Sequence, residues 1–225
     1  MEMHEIRPEI SQALLTNPGI GFIAAPELMN AEPNALRDSR GQIVAPYKFT
    51  PDSRTWNHPD SGVLFCSCRW KDIEPLQGTY DWRCLEEKLD AAAALGCTCI
   101  VRISPYALSA QEDIPTWLRM RYPEEPEFPF WRIDPNTTEY PRLWAALIRN
   151  FAARYDGDPR ITSVDMAIVG AWGEGGGTEN MEENAMKTVI AAYMEGFPHT
   201  PLTALLHDPK SLACIRAFPK QVGFR

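Results

Sequence analysis

Short β-rich runs, several of them apolar on both faces, alternate with segments of helical period along this chain. The runs are Gly19–Ala24, Val63–Cys68, Thr98–Ile103, Ile161–Val169, Leu202–Leu206 and Gln221–Phe224. A strand without a polar side belongs in a sheet covered on both faces, which is where parallel strands occur. The helical segments carry their own punctuation. Asp81 is placed to cap a helix starting at Trp82, with Leu85, Leu89 and Ala93 on one face and Gly96 as its stop. Thr138 opens a second helix, with Pro141 in its first turn and Leu143, Trp144, Leu147, Ile148 and Phe151 as its apolar face. Asn180 with Glu183 reads as a capping pair, followed by Met186, Val189, Ile190 and Tyr193 on one side. A last, shorter helix is expected over Pro209–Ala217.

Strand followed by helix, without interruption, predicts an α/β fold with parallel pairing and crossover helices. An open doubly wound sheet and a (β/α)8 barrel of the TIM type both satisfy that pattern. The connections after the first and third strands, Pro26–Asp60 and Ser104–Asn136, are long and rich in Pro, Trp, Tyr and charge, whereas Gly96-Cys97 and Pro198–Pro201 are short. Long loops at the carboxyl ends of strands are what a barrel builds a site from. Six strands are legible where a barrel needs eight. The expectation is therefore one barrel-like domain over residues 1–225, truncated at its C-terminal side after about six strands.

Composition narrows the function classes. The 225 residues are 44% hydrophobic and 23% charged, which excludes disordered and collagen-like readings. A net charge of −8 gives no global basic footprint, so neither nucleic acid nor an anionic membrane surface is an expected partner. No apolar run is long enough to span a bilayer. The opening MEMHEIRPEISQALL has no secretory pattern, so a cytoplasmic protein is expected; a trimmed N-terminus would leave secretion open. The six cysteines are read as reduced thiols. Cys66-x-Cys68 and Cys97-x-Cys99 lie on strands expected to be neighbours, and each pair shares a face. Their spacing differs from the loop-borne C-x2-C of zinc sites, so no metal and no other cofactor is assigned.

Two segments carry chemistry. In Gly170-Ala-Trp-Gly-Glu-Gly-Gly-Gly177, a strand containing Asp165 ends and Trp172 and Glu174 project from its carboxyl end. A carboxyl beside an aromatic in a concave site suits proton donation. The same residues also fit a solvated turn, and Gly173-x-Gly175-x-x-Thr178 comes close to a dinucleotide loop but lacks its last glycine. The second segment, Arg69-Trp-Lys-Asp-Ile-Glu-Pro-Leu-Gln-Gly-Thr-Tyr-Asp-Trp82, comes directly after the second strand.

That second segment resembles the W-x-x-x-E-P-x-x-G-x-Y-D-W/F stretch of clan A glycoside hydrolases, especially β-galactosidase-like barrels similar to family 42. Further pieces are similar in the same order: Asn17–Phe22, Ile114–Leu118 with Tyr122–Glu124, Arg154–Ile161, and Trp172-Gly-Glu174. The resemblance implies a TIM barrel, a carbohydrate ligand and a general acid/base glutamate at the end of the fourth strand, where Glu174 stands. Gly173 occupies the place of an asparagine that in the family helps hold the sugar 2-hydroxyl. The family's nucleophile falls beyond Arg225.

Around Glu174, Arg69 and Arg102 near the ends of the second and third strands are candidates for binding substrate, or for ion pairs with Asp72, Glu74 or Asp165. Trp70, Tyr106, Trp117, Trp131 and Trp172 offer ring faces to a sugar, or pack the bases of long loops. His207 comes after the fifth strand and reaches the same rim, or serves the cap of the next helix. The reading is a glycoside hydrolase acting on a β-linked glycoside or oligosaccharide, with Glu174 as acid/base. Arg69, Trp70, Arg102, Tyr106, Trp172 and His207 bind substrate in that reading. The alternative is a non-catalytic carbohydrate-binding barrel, or an inactive fragment whose uncovered sheet edge invites self-association.

Overall fold

Among the described residues, six strands form one parallel sheet: β1 (Ile23–Ala24), β4 (Val63–Arg69), β5 (Thr98–Ser104), β6 (Ile161–Asp165), β7 (Leu202–Ala204) and β8 (Val222–Phe224). These come from a computed structural model that describes residues 23–24, 34–37, 43–47, 62–94, 96–106, 114–121, 134–170 and 173–224. Spatial order matches chain order, β1-β4-β5-β6-β7-β8, and every pair is parallel. A doubly wound sheet would reverse its order at a switch point; this one advances steadily, as a barrel wall does. The sequence pattern missed a separate antiparallel hairpin in the first long connection, β2 (Asn34–Arg37) with β3 (Ile43–Tyr47).

The helices are α1 (Trp70–Ile73), α2 (Arg83–Ala94), α3 (Thr116–Arg119), α4 (Glu139–Tyr155), α5 (Glu183–Gly196) and α6 (Pro209–Ile215). Several boundaries depart from expectation. Asp81 accepts the backbone N–H of Arg83 at 3.1 Å, so α2 starts one residue later than expected. Ala92, not Ala93, is buried with Leu85 and Leu89, because seven residues bring the helix back to the same stripe and eight overshoot it. Asn180 ends a short 3-10 turn, Thr178–Asn180, and Glu182 takes the position before α5. The strand expected over Ile161–Val169 is shorter, since β6 stops at Asp165 and the chain leaves the sheet there. Asp208 caps α6 by accepting the Lys210 N–H at 3.0 Å.

Period two divides β4. Leu64, Cys66 and Cys68 are buried under the helices, while Phe65, Ser67 and Arg69 on the other face are only partly covered. The helical layer is held by aromatic rings. Phe151 of α4 stacks on Trp82 at 5.6 Å and meets Phe197 edge-on at 5.1 Å, tying α2, α4 and the end of α5 together. Among the described residues no helix is long and apolar enough to cross a membrane.

Phe151 is fully buried, so Phe151→Ala is expected to cost about 3–5 kcal/mol. A urea denaturation midpoint measured beside the wild type checks it.

Candidate active site

A buried cation organises the carboxyl end of the sheet. Arg102 of β5 is 5% exposed, lies on the partly covered face, and has its guanidinium 4.6 Å from the centre of the Phe65 ring. Its Nε and Nη2 donate to Asp165 Oδ2 at 2.9 and 2.6 Å, and its Nη1 donates to Glu174 Oε1 at 2.5 Å. Asp165 reaches this face through a register shift. Cys99 pairs with Ile161, but Ile100 pairs with Ser163 and Val101 with Val164. One extra residue on β6 swaps the faces of everything after it, and so turns Asp165 toward Arg102.

The loop that carries Glu174 is pinned from below. Trp144 Nε1 donates to the Ala167 carbonyl at 2.8 Å, Tyr193 Oη donates to the same carbonyl at 3.1 Å, and Tyr140 Oη donates to the Ile168 carbonyl at 2.8 Å. The loop then closes on itself: Gly173 N–H donates to Gly170 O at 3.0 Å and Gly175 N–H to Val169 O at 3.1 Å. Gly173 has φ +74°, and a Cβ there would lie 2.6 Å from Ala167 Cβ and 3.0 Å from Arg102 Cδ. Only glycine fits that backbone and that space. The next residue, Glu174, keeps a side chain 51% exposed while its carboxylate holds Arg102. The carboxylate is therefore both fixed in position and open to solvent at the carboxyl end of β6.

Other predicted residues fall in different places. Arg69, at the end of β4, pairs with Asp72 at 2.8 Å and is partly exposed. Trp70 is 0% exposed, packed against Trp117, Tyr140 and Trp144, so it has no ring face for a sugar. Tyr106 is buried as well, at 3%. His207 is exposed, and its Nε2 lies 3.9 Å from where a Cβ on Gly175 would stand, on the Glu174 side of the sheet. Trp172 and Trp131, with Asn17–Phe22 and Tyr122–Glu124, lie outside the described residues. Arg102, Glu174 and His207 thus gather at one rim; Trp70 and Tyr106 belong to the packing beneath it.

The Arg69–Trp82 segment proves to be a built turn. Glu74, 3% exposed, accepts Trp70 Nε1 at 2.6 Å and the Gly78 N–H at 2.7 Å, and its carbonyl accepts Trp117 Nε1 at 3.0 Å. Burial pushes the Glu74 carboxyl above its ordinary value, with the Trp70 and Gly78 bonds acting the other way. The i, i+4 spacing of Trp70 and Glu74 was the available signal for this pair. Among the described residues no group of three or more His, Cys, Asp or Glu is arranged to hold a metal ion.

Residues 61–166 match the model of the glycosyl hydrolase 42 family, described as beta-galactosidase. Solved structures of endo-glycoceramidase II from Rhodococcus sp. are similar in fold. The complex with a cellobiose-like imidazole has a TM-score of 0.51 at 15% identity, and the match covers 82% of this chain and 48% of that one. The lactosyl-enzyme intermediate has a TM-score of 0.51 at 17% identity, with the same coverage. The chain thus spans about half the length of the solved structures it matches. No curated protein matches it in sequence. The fold is α/β, of the (β/α)8 barrel type and covering part of a barrel, and the resemblance to clan A glycoside hydrolases holds in sequence over residues 61–166.

Stability measurements check the parts played by Asp165, Glu174 and Glu74. Asp165→Ala leaves Arg102 buried without its innermost counter-charge and is expected to cost about 3–5 kcal/mol, whereas Glu174→Gln, at a half-exposed position, stays within about 1 kcal/mol; urea midpoints of the two variants compare them directly. Glu74 binds its proton more tightly folded than unfolded. Its protonated form therefore favours the fold below the ordinary value of 4.5, and that contribution is lost as pH rises through the elevated folded value. Glu74→Gln removes this loss, so the midpoint of the variant minus that of the wild type is expected to grow from pH 4 to pH 7.

Proposed function

We propose that this chain forms part of a glycoside hydrolase acting on a β-linked glycoside or oligosaccharide, with Glu174 as the general acid/base. The carrying observation is the carboxylate of Glu174 at the carboxyl end of β6, held by Arg102 and open to solvent. The family match over residues 61–166 and the fold shared with glycosidases support the same reading. In the first step Glu174 protonates the glycosidic oxygen as the bond to the anomeric carbon breaks; in the second it takes a proton from the attacking water. Arg102 fixes the direction of the carboxylate in this scheme and takes up the charge that Glu174 carries between the two steps. Arg69 and His207, both accessible at the rim, are the residues assigned to sugar hydroxyls, and Trp172 is assigned to a sugar face. The partner carboxylate that glycoside hydrolysis requires is assigned to strands beyond residue 225.

A second reading draws on Gly173. The family's asparagine at this place would contact the sugar 2-hydroxyl, but the backbone here has positive φ and no room for a Cβ. A barrel that binds sugar without cleaving it fits that loss.

The test uses a polypeptide in which this segment is joined to the strands that complete its barrel. With an aryl β-galactoside as substrate, Glu174→Gln is expected to lower kcat by about 10²–10⁴-fold while leaving the circular dichroism spectrum unchanged. Equal turnover in variant and wild type rejects the acid/base role. Lactose binding by calorimetry with no turnover in either selects the second reading.

A further inference from the structure

Among the described residues, two buried side-chain oxygens have no hydrogen-bond partner in the protein, Ser104 Oγ and Asp208 Oδ2. The second belongs to a carboxylate, which is costly to remove from water unless something donates to it. Asp208 is 5% exposed, and its Oδ1 is spent on the Lys210 N–H at the start of α6. The same residue lines a cavity between three parts of the fold. Its other walls include Ile168 after β6, Gly175 and Thr178 from the turn that follows Glu174, Ala204 of β7 and Ser211 of α6. The space is about 10 Å³ for the centre of a water-sized molecule, enough for one such molecule.

The polar hydrogens on these walls are already committed. Thr178 Oγ1 donates to the Gly175 carbonyl at 2.8 Å, and Ser211 Oγ donates to the Asp208 carbonyl at 3.1 Å. Both hydroxyls are buried, and each oxygen keeps a lone pair to offer. The lining residues therefore supply a carboxylate oxygen and two hydroxyl oxygens, all of them acceptors. An occupant must donate, and water brings two hydrogens. A bare cation would need a fuller shell of oxygens than the apolar walls of Ile168 and Ala204 leave.

We infer that this cavity binds one ordered water, which donates to Asp208 Oδ2 and Thr178 Oγ1 and so tethers the start of α6 to the loop that carries Glu174. The path is short. The hydroxyl and the backbone N–H of Thr178 both donate to the Gly175 carbonyl, and Gly175 is the residue next to Glu174. Trp144, Tyr140 and Tyr193 hold the strand side of this loop; the water holds its far side, from the direction of β7. Asp208 is thus a positioning residue for the loop, whether the barrel cleaves a sugar or only binds one.

A high-resolution crystal structure of the chain is the first test. The expected result is a single peak at about 2.6–3.0 Å from Asp208 Oδ2 and from Thr178 Oγ1. Empty density, a protein donor on Oδ2, or a peak ringed by oxygens at cation distances of about 2.3–2.6 Å overturns the proposal. In solution, oxygen-17 relaxation dispersion counts long-lived buried waters. Ala204→Val places two methyl groups against the cavity and is expected to lower that count by one; an equal count in variant and wild type rejects the site. The tether has its own readout in hydrogen exchange. The Thr178 amide is expected to exchange about 10-fold faster in Ala204→Val, with the amides of α4 unchanged, and equal Thr178 exchange rejects the tether. If Ala204→Val does not fold, the wild-type density decides.

Discussion

A guanidinium buried on the inner face of a sheet dictates much of what surrounds it. Removing such a charge from water is expensive, and only close counter-charges and hydrogen bonds offset it. Arg102 obtains them from Asp165 and Glu174. For Asp165 to face it, β6 must carry one residue more than its partner at the step from Cys99 to Ile100. For Glu174 to reach it, the chain after β6 must fold back through Gly170 and Gly173 in backbone conformations closed to other residues. Strand register, loop shape and the direction of the exposed carboxylate are thus three solutions to one electrostatic demand.

The second support is aromatic. Trp144, Tyr140 and Tyr193 bury their rings among the helices and send their polar ends to backbone carbonyls at residues 167 and 168. Large apolar surface and a directed donor come from the same side chain, so helix packing and loop position are set together. The glycine-rich segment can be open above because it is fixed below.

Much of this was legible before the structure. Alternating strand and helix signals marked all six strands of the main sheet, and the carboxylate at position 174 falls beyond the end of a strand, where the pattern puts it. An ion pair between Arg102 and Asp165 was one of the two readings of that arginine, and it is present. Trp70 was misread because an aromatic residue after a strand looks alike whether it lines a cleft or fills a core; burial, which sequence does not state, decides between them. The register shift in β6 has no signature in Ile161–Asp165, since a residue added to a strand leaves the local composition unchanged.

The buried Glu74 has a consequence for how such chains are recognised. Its hydrogen bonds to Trp70 and Gly78 explain three of the most distinctive letters in the Arg69–Trp82 stretch, and all three serve the stability of a bend. A search keyed to that stretch would retrieve proteins that can make this corner, gathering the chemically silent along with the active. The stretch thus reports a shared bend, and nothing in it bears on the loop that carries Glu174 a hundred positions downstream.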